Sequence, residues 1–127
     1  MLPAHSLLQL VPARLPQAIQ RVRDQVWQAR GPVVQITASE AAPHHVGFSA
    51  ARRLPLRPVE GPHAYGKLWD QRWFRLRLPA DAGLRGTRYL RWTDQAEATL
   101  YVDGVPHYGF DVAHRMAPLP RQAREVW

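Results

Sequence analysis

Alternation of apolar and polar positions is strongest in the second half of the chain. In residues 73–78 it places Phe74, Leu76 and Leu78 on one face of a strand and Trp73, Arg75 and Arg77 on the other. Pro79 ends that run. Residues 87–93 alternate in the same way, with Leu90 and Trp92 sharing a face with Arg88. Residues 97–102 and 105–108 are two further runs, separated by Asp103-Gly104. Both of those turn residues tolerate positive φ, so the pair predicts a tight hairpin. Upstream, residues 33–37 are β-branched and predict a strand. Residues 38–71 are punctuated by Pro43, Pro55, Pro58 and Pro62, and predict long connections with one short strand near 53–57. A single helical stripe precedes all of this. Leu15, Ile19, Val22 and Val26 fall on one face of a 3.6-residue period. The spacing predicts a helix over 14–30, with Pro16 in its first turn and Gly31-Pro32 as its stop. The stripe is short, which favours packing on the domain over a coiled coil. Three consecutive antiparallel strands after a loop-rich first half predict a mainly-β sandwich behind one amphipathic helix, divided as residues 1–32 and 33–127.

The 127 residues are 46% hydrophobic and 21% charged, a folding composition with room for one core. No apolar run is long enough for a membrane span, and the first residues lack the charged flank and apolar core of a secretory signal. There is no cysteine, which excludes disulfides, thiolate metal sites and cysteine nucleophiles. A reducing, cytoplasmic location is the simplest expectation. The net charge is +7, carried by sixteen arginines and a single lysine, Lys67. Clustered arginines bind polyanions by neutralising phosphates, but here the charge is spread from Arg14 to Arg124 with no run longer than Arg52-Arg53. A GC-rich coding bias explains that spread more simply than a nucleic-acid interface does.

Hydrolytic chemistry on sugars needs two carboxylates about 5–9.5 Å apart. Asp94 with Glu97 and Asp103 with Asp111 are the pairs to consider. Asp103 and Asp94 have turn roles that suffice, whereas Glu97 is harder to dismiss because a strand interior disfavours glutamate. Pairing with Arg91 across a hairpin is its structural alternative. The histidines, His5, His44, His45, His63, His107 and His114, lack the spacing of a metal site. No Ser-His-Asp arrangement and no glycine-rich phosphate loop occurs. The face carrying Trp73, Arg75 and Arg77 suits docking on a neighbouring domain or simple surface cover, with arginine stems over the sheet and Trp73 packed under a loop; stacking of a sugar ring or single-stranded nucleic acid are the alternatives.

Several segments fall in a familiar order. Trp69-Asp70-Gln71-Arg72-Trp73-Phe74-Arg75 leads through Leu78-Pro79 and Gly86 to Leu90-Arg91-Trp92. Ala96-Glu97-Ala98, Leu100-Tyr101-Val102-Asp103-Gly104-Val105-Pro106, Gly109-Phe110-Asp111 and His114-Arg115 follow. Across about residues 66–116 this order resembles the N-terminal domain of glycoside hydrolase family 38 α-mannosidases. Related sandwiches stand at the front of β-galactosidases and β-glucuronidases. The resemblance implies a galactose-binding-like jelly roll acting as a non-catalytic accessory domain. Its partner would be a downstream catalytic domain of the same polypeptide, which would hold the nucleophile and a zinc-type divalent metal. This chain itself would then hold no catalytic residue, metal or cofactor. Candidates for contact with carbohydrate or with the docked domain are Trp69, Arg72, Trp73, Glu97, Asp111, His114 and Arg115. A free-standing carbohydrate-binding module, taking an oligosaccharide, and a basic polyanion-binding module are the alternatives. A jelly roll has about eight strands, and the pattern supplies six or seven, so the expectation is a sandwich lacking its last strand. Its final segment would then leave an open edge available for self-association.

Overall fold

A computed structural model describes residues 4–27, 30–61, 66–80, 83 and 85–127, with backbone alone for 4–11 and 13. The chain divides into two compact units, residues 1–31 and 32–127.

The first unit is a helix, α1 (Ala4–Val26), with Pro12 and Pro16 inside it. It starts earlier than the stripe predicts, because residues 7–10 are Leu-Leu-Gln-Leu, strong helix formers that extend it toward the N-terminus. Pro16 is therefore interior, and the carbonyl of Pro12 loses its intrahelical donor. The helix also ends before Gly31-Pro32, at Val26. Beyond it Arg30 lies over the Trp27 ring, 5.9 Å from the centroid. Leu15, Ile19, Val22 and Val26 are all exposed.

The described residues of the second unit form eight strands and one short helix: β1 (Gln35–Ala38), α2 (Phe48–Ala51), β2 (Arg57–Pro58), β3 (Phe74–Arg77), β4 (Arg88–Arg91), β5 (Ala98–Val102), β6 (Val105–Phe110), β7 (Met116–Leu119) and β8 (Glu125–Val126). All the strand pairings are antiparallel. The main sheet runs β2-β1-β3-β8. Trp127, just past β8, exchanges both backbone hydrogen bonds with Tyr101 of β5, at 2.7 and 3.1 Å, and so joins the β5–β6 hairpin to that sheet. The final residues are thus flanked on both sides, and the edge that the pattern leaves open there is occupied. β4 pairs with β7 rather than with its sequence neighbours. The three consecutive strands expected from the pattern are therefore split between sheets, β4 with β7 and β5 with β6. Leu76, Leu78, Leu90, Leu100, Val102, Phe110, Leu119 and Val126 form the core between them. Leu76, Leu78 and Leu90 lie on the faces that alternation assigns to them.

The β5–β6 turn is the predicted one. Asp103 and Gly104 have φ of 52° and 78°, as a type I′ hairpin demands. Further along the ladder Pro106 has no N–H to give, and the register slips between Leu100 and Tyr101. The strand seen near 53–57 is β2, displaced slightly toward the C-terminus, and α2 has no counterpart in the pattern.

Gly104 has a second reason to be glycine. A Cβ there would stand 2.9 Å from Cε1 of Phe48 in α2. Gly104→Ala combines that clash with a left-handed backbone, and is expected to lower unfolding stability by more than about 1 kcal/mol in chemical denaturation. Gly109→Ala, with open space around it, should stay within about 0.5 kcal/mol of the parent.

Candidate functional site

Trp73 decides how the main sheet presents itself. It points away from the core, as alternation predicts, yet it is only 6% exposed. The loop after β1 and helix α2 cover it. Its indole Nε1 donates to the Val46 carbonyl at 2.8 Å. The Phe48 ring lies 5.7 Å from it and the Tyr101 ring 5.1 Å. Phe48 in turn stacks on Tyr101 at 5.3 Å and meets Trp127 edge-on at 5.8 Å. Trp73 is thus packed under a loop, in a second, smaller aromatic core, and offers no stacking platform beside Arg75 and Arg77.

Ser39 fixes the covering loop. It is 2% exposed, yet its hydroxyl is fully used, donating to the Glu40 carbonyl at 2.8 Å and accepting the Trp73 N–H at 3.1 Å. Arg72 Nε donates to the Ser39 carbonyl at 2.6 Å. Gln71 Oε1 accepts the Val46 N–H at 2.6 Å. Neither Ser39 nor Phe48 stands out in the sequence, because one serine and one phenylalanine in a proline-rich connection carry no periodic signal.

A cleft of about 750 Å³ brings together Arg72, Trp73, Glu97 and Asp111 of the residues singled out above. Its floor is apolar, with Leu90, Leu100 and Phe110, and its polar side includes His45, Asp70 and Thr99. A concave apolar surface with a few polar groups is the usual form of a small-molecule site. Trp92 also lines it, and its indole N–H is buried without a hydrogen-bond partner. Glu97 is exposed and forms no ion pair with Arg91, since β4 does not pair with β5.

The remaining candidates lie elsewhere. Trp69 is 89% exposed at the tip of a turn over residues 67–70, with a φ of 71° that a bulky residue rarely adopts. Asp70 closes the turn, its carboxylate accepting the Lys67 N–H at 2.9 Å. Asp111, His114 and Arg115 form a self-contained turn. One carboxylate oxygen of Asp111 accepts the N–H groups of Ala113 and His114, both at 2.7 Å. The His114 Nδ1–H donates to the same carboxylate at 2.9 Å, and Arg115 Nε donates to the Val112 carbonyl at 3.0 Å. Holding a turn carbonyl, rather than clamping a carboxylate, is what Arg115 does.

Asp94 likewise accepts the Ala96 N–H at 2.8 Å, and Asp103 sits in the hairpin turn. Among the described residues no three His, Asp or Glu side chains gather to hold a metal. His63 lies outside the described residues. His107 donates from Nε2 to the Pro118 carbonyl at 2.7 Å. The sequence gives no warning of Arg88, whose guanidinium donates to the carbonyls of Pro79, Arg121 and Ala123 at 2.8–3.1 Å. No described helix is long and apolar enough to cross a membrane.

The profile of one protein family, described as the α-mannosidase jelly-roll domain, matches residues 27–126. No curated protein and no solved structure matches the chain.

The hydrogen bonds around Asp111, first that from the His114 ring and then those from the backbone, lower its carboxyl from 3.8 to about 2. A carboxyl depressed by folding stabilises the turn above its unfolded pKa, and that contribution is lost as pH falls through the folded value. The side-chain carboxyl carbon of Asp111 should accordingly titrate near pH 2 by NMR, and Ala113 and His114 amide shifts should follow the same midpoint. A midpoint near 3.8 would mean that the turn does not hold its carboxylate in solution.

Proposed function

Because the chain belongs to the α-mannosidase jelly-roll domain family, we propose that it is the non-catalytic N-terminal accessory domain of a family 38 α-mannosidase. In such an enzyme the hydrolysis of terminal α-mannosides falls to a downstream catalytic domain, with a zinc-type divalent metal bound there. The observation that carries this reading is the extent of the match, which runs through the sandwich from before β1 to Val126. The engagement of Asp94, Asp103 and Asp111 in local turns supports it, since catalytic carboxylates must be free to face a scissile bond. The domain's task is then to pack on the catalytic domain and shape the approach to its active site.

An immunoblot of source-cell lysate with an antibody against this sandwich should reveal a band several times heavier than 14.5 kDa. The purified 127-residue chain should release no mannose from an aryl α-mannoside. Steady release abolished by Glu97→Ala would overturn the reading.

The cleft favours a second reading, a carbohydrate-binding role, because it collects Arg72, Glu97 and Asp111 over an apolar floor. Of the aromatic residues such a module would expose, Trp73 is buried, Tyr108 is half-buried and Trp69 alone is open to solvent. In an NMR titration with mannose, this role requires millimolar shifts confined to the cleft amides of Thr99 and Gly109, lost in Glu97→Gln. Shifts centred on Trp69, or none, would leave the cleft without a sugar.

A further inference from the structure

The outer face of the main sheet carries a second concavity, a groove of about 580 Å³ lined by Arg75, Arg77, Arg124 and Glu125 among others. Among the described lining residues three guanidiniums thus accompany one carboxylate, and that carboxylate already accepts three hydrogen bonds. Arg75 donates from Nε and Nη2 to Glu125 Oε2 at 2.8 and 2.6 Å. The Trp127 indole N–H takes Oε1 at 3.1 Å. These bonds, the first from Arg75, hold the Glu125 carboxyl below its ordinary value. Arg77 adds only a through-space attraction to that carboxylate, without a hydrogen bond. Arg77 and Arg124 are exposed, and among the described residues neither side chain makes a hydrogen bond or ion pair.

The rest of the lining narrows the ligand. Val34, which is 64% exposed, and Pro79 and Ala80 give the groove an apolar wall. Among the described residues no aromatic ring lines it, because Trp73 is buried under Phe48. Base stacking, which single-stranded nucleic acid needs, has no platform there. Carboxylates spaced by aliphatic side chains match both the two guanidiniums that make no hydrogen bond and the apolar wall, because guanidinium forks bind carboxylate in planar, charge-assisted pairs.

We propose that this groove is a docking site for an acidic, aliphatic segment of a partner protein, with Arg77 and Arg124 receiving its carboxylates. The groove's charge and shape stand independently of the accessory role, so either can fail without the other.

The test uses a fluorescein-labelled peptide of glutamates spaced by leucines, its glutamine counterpart, and labelled oligo-dT, each titrated with the whole chain by fluorescence anisotropy. The glutamate peptide should bind best and weaken as salt is raised. Arg77→Ala with Arg124→Ala should cost about tenfold or more, the scale of losing two charge-assisted contacts. Arg91→Ala, an exposed arginine on β4, should leave binding unchanged. Arg124→Glu should shift preference toward a lysine-leucine peptide. The proposal is overturned by equal binding of the glutamine peptide, by tighter binding of oligo-dT, by an unaffected double variant, or by no binding of the glutamate peptide. Arg77 and Arg124 are solvent-exposed, so matching circular dichroism of parent and variants checks that folding is not the cause.

Discussion

The sandwich depends on three residues, Glu125 to Trp127. They form the strand that joins β3 to β5, and through β3 they connect the β1–β2 edge to the β5–β6 hairpin. Their side chains divide the work by alternation. Val126, 1% exposed, enters the main core, while Glu125 and Trp127 face outward, where one pairs with Arg75 and the other closes the aromatic cluster over Phe48. A strand in this position stabilises through three channels at once: ladder hydrogen bonds on both sides, core burial, and the outer-face cluster. Its partners are distant in sequence, so loop-closure entropy opposes its insertion and only the combined gain offsets that cost.

The outer face of that sheet is of two kinds. Near the hairpin end it is buried by α2, and the sheet there has apolar contacts on both faces. Near the β3–β8 end it is open and lined with arginine. Trp73 and Arg75 share the same strand face, two residues apart, and mark the boundary between the two kinds. The change of environment is produced by Ser39 and Gln71, which clamp the loop that covers one and stops short of the other.

Much of the fold is legible in the sequence because period-two alternation is set by the backbone and survives any choice of partner strand. The faces of Leu76, Leu90, Leu100 and Val102 follow from it, as does the Asp103-Gly104 turn. Partner choice does not follow, because β4 alternates identically whether it pairs with β5 or β7. The two-residue strands β2 and β8 are too short to show a period. The cleft residues Arg72, Glu97 and Asp111 are recognisable from the ordered segments that surround them. Ser39, Phe48 and Arg88 are not, since each acts through contacts more than thirty residues away in the chain or through backbone carbonyls that no side-chain pattern encodes.

The order in which the strands leave the ribosome is not the order in which they lie in the sheet. β3 and β5 are synthesised with a gap between them that β8 fills last. Until then both carry unpaired N–H and C=O groups along the edges that face that gap, and each edge is a template for any other strand of suitable length. The nascent sandwich is therefore most exposed to mispairing until β8 is added. The register shift opposite Leu100/Tyr101 skips His107 of β6, the strand on the far side of β5 from that gap, and the local twist it adds bends the hairpin to which β5 belongs.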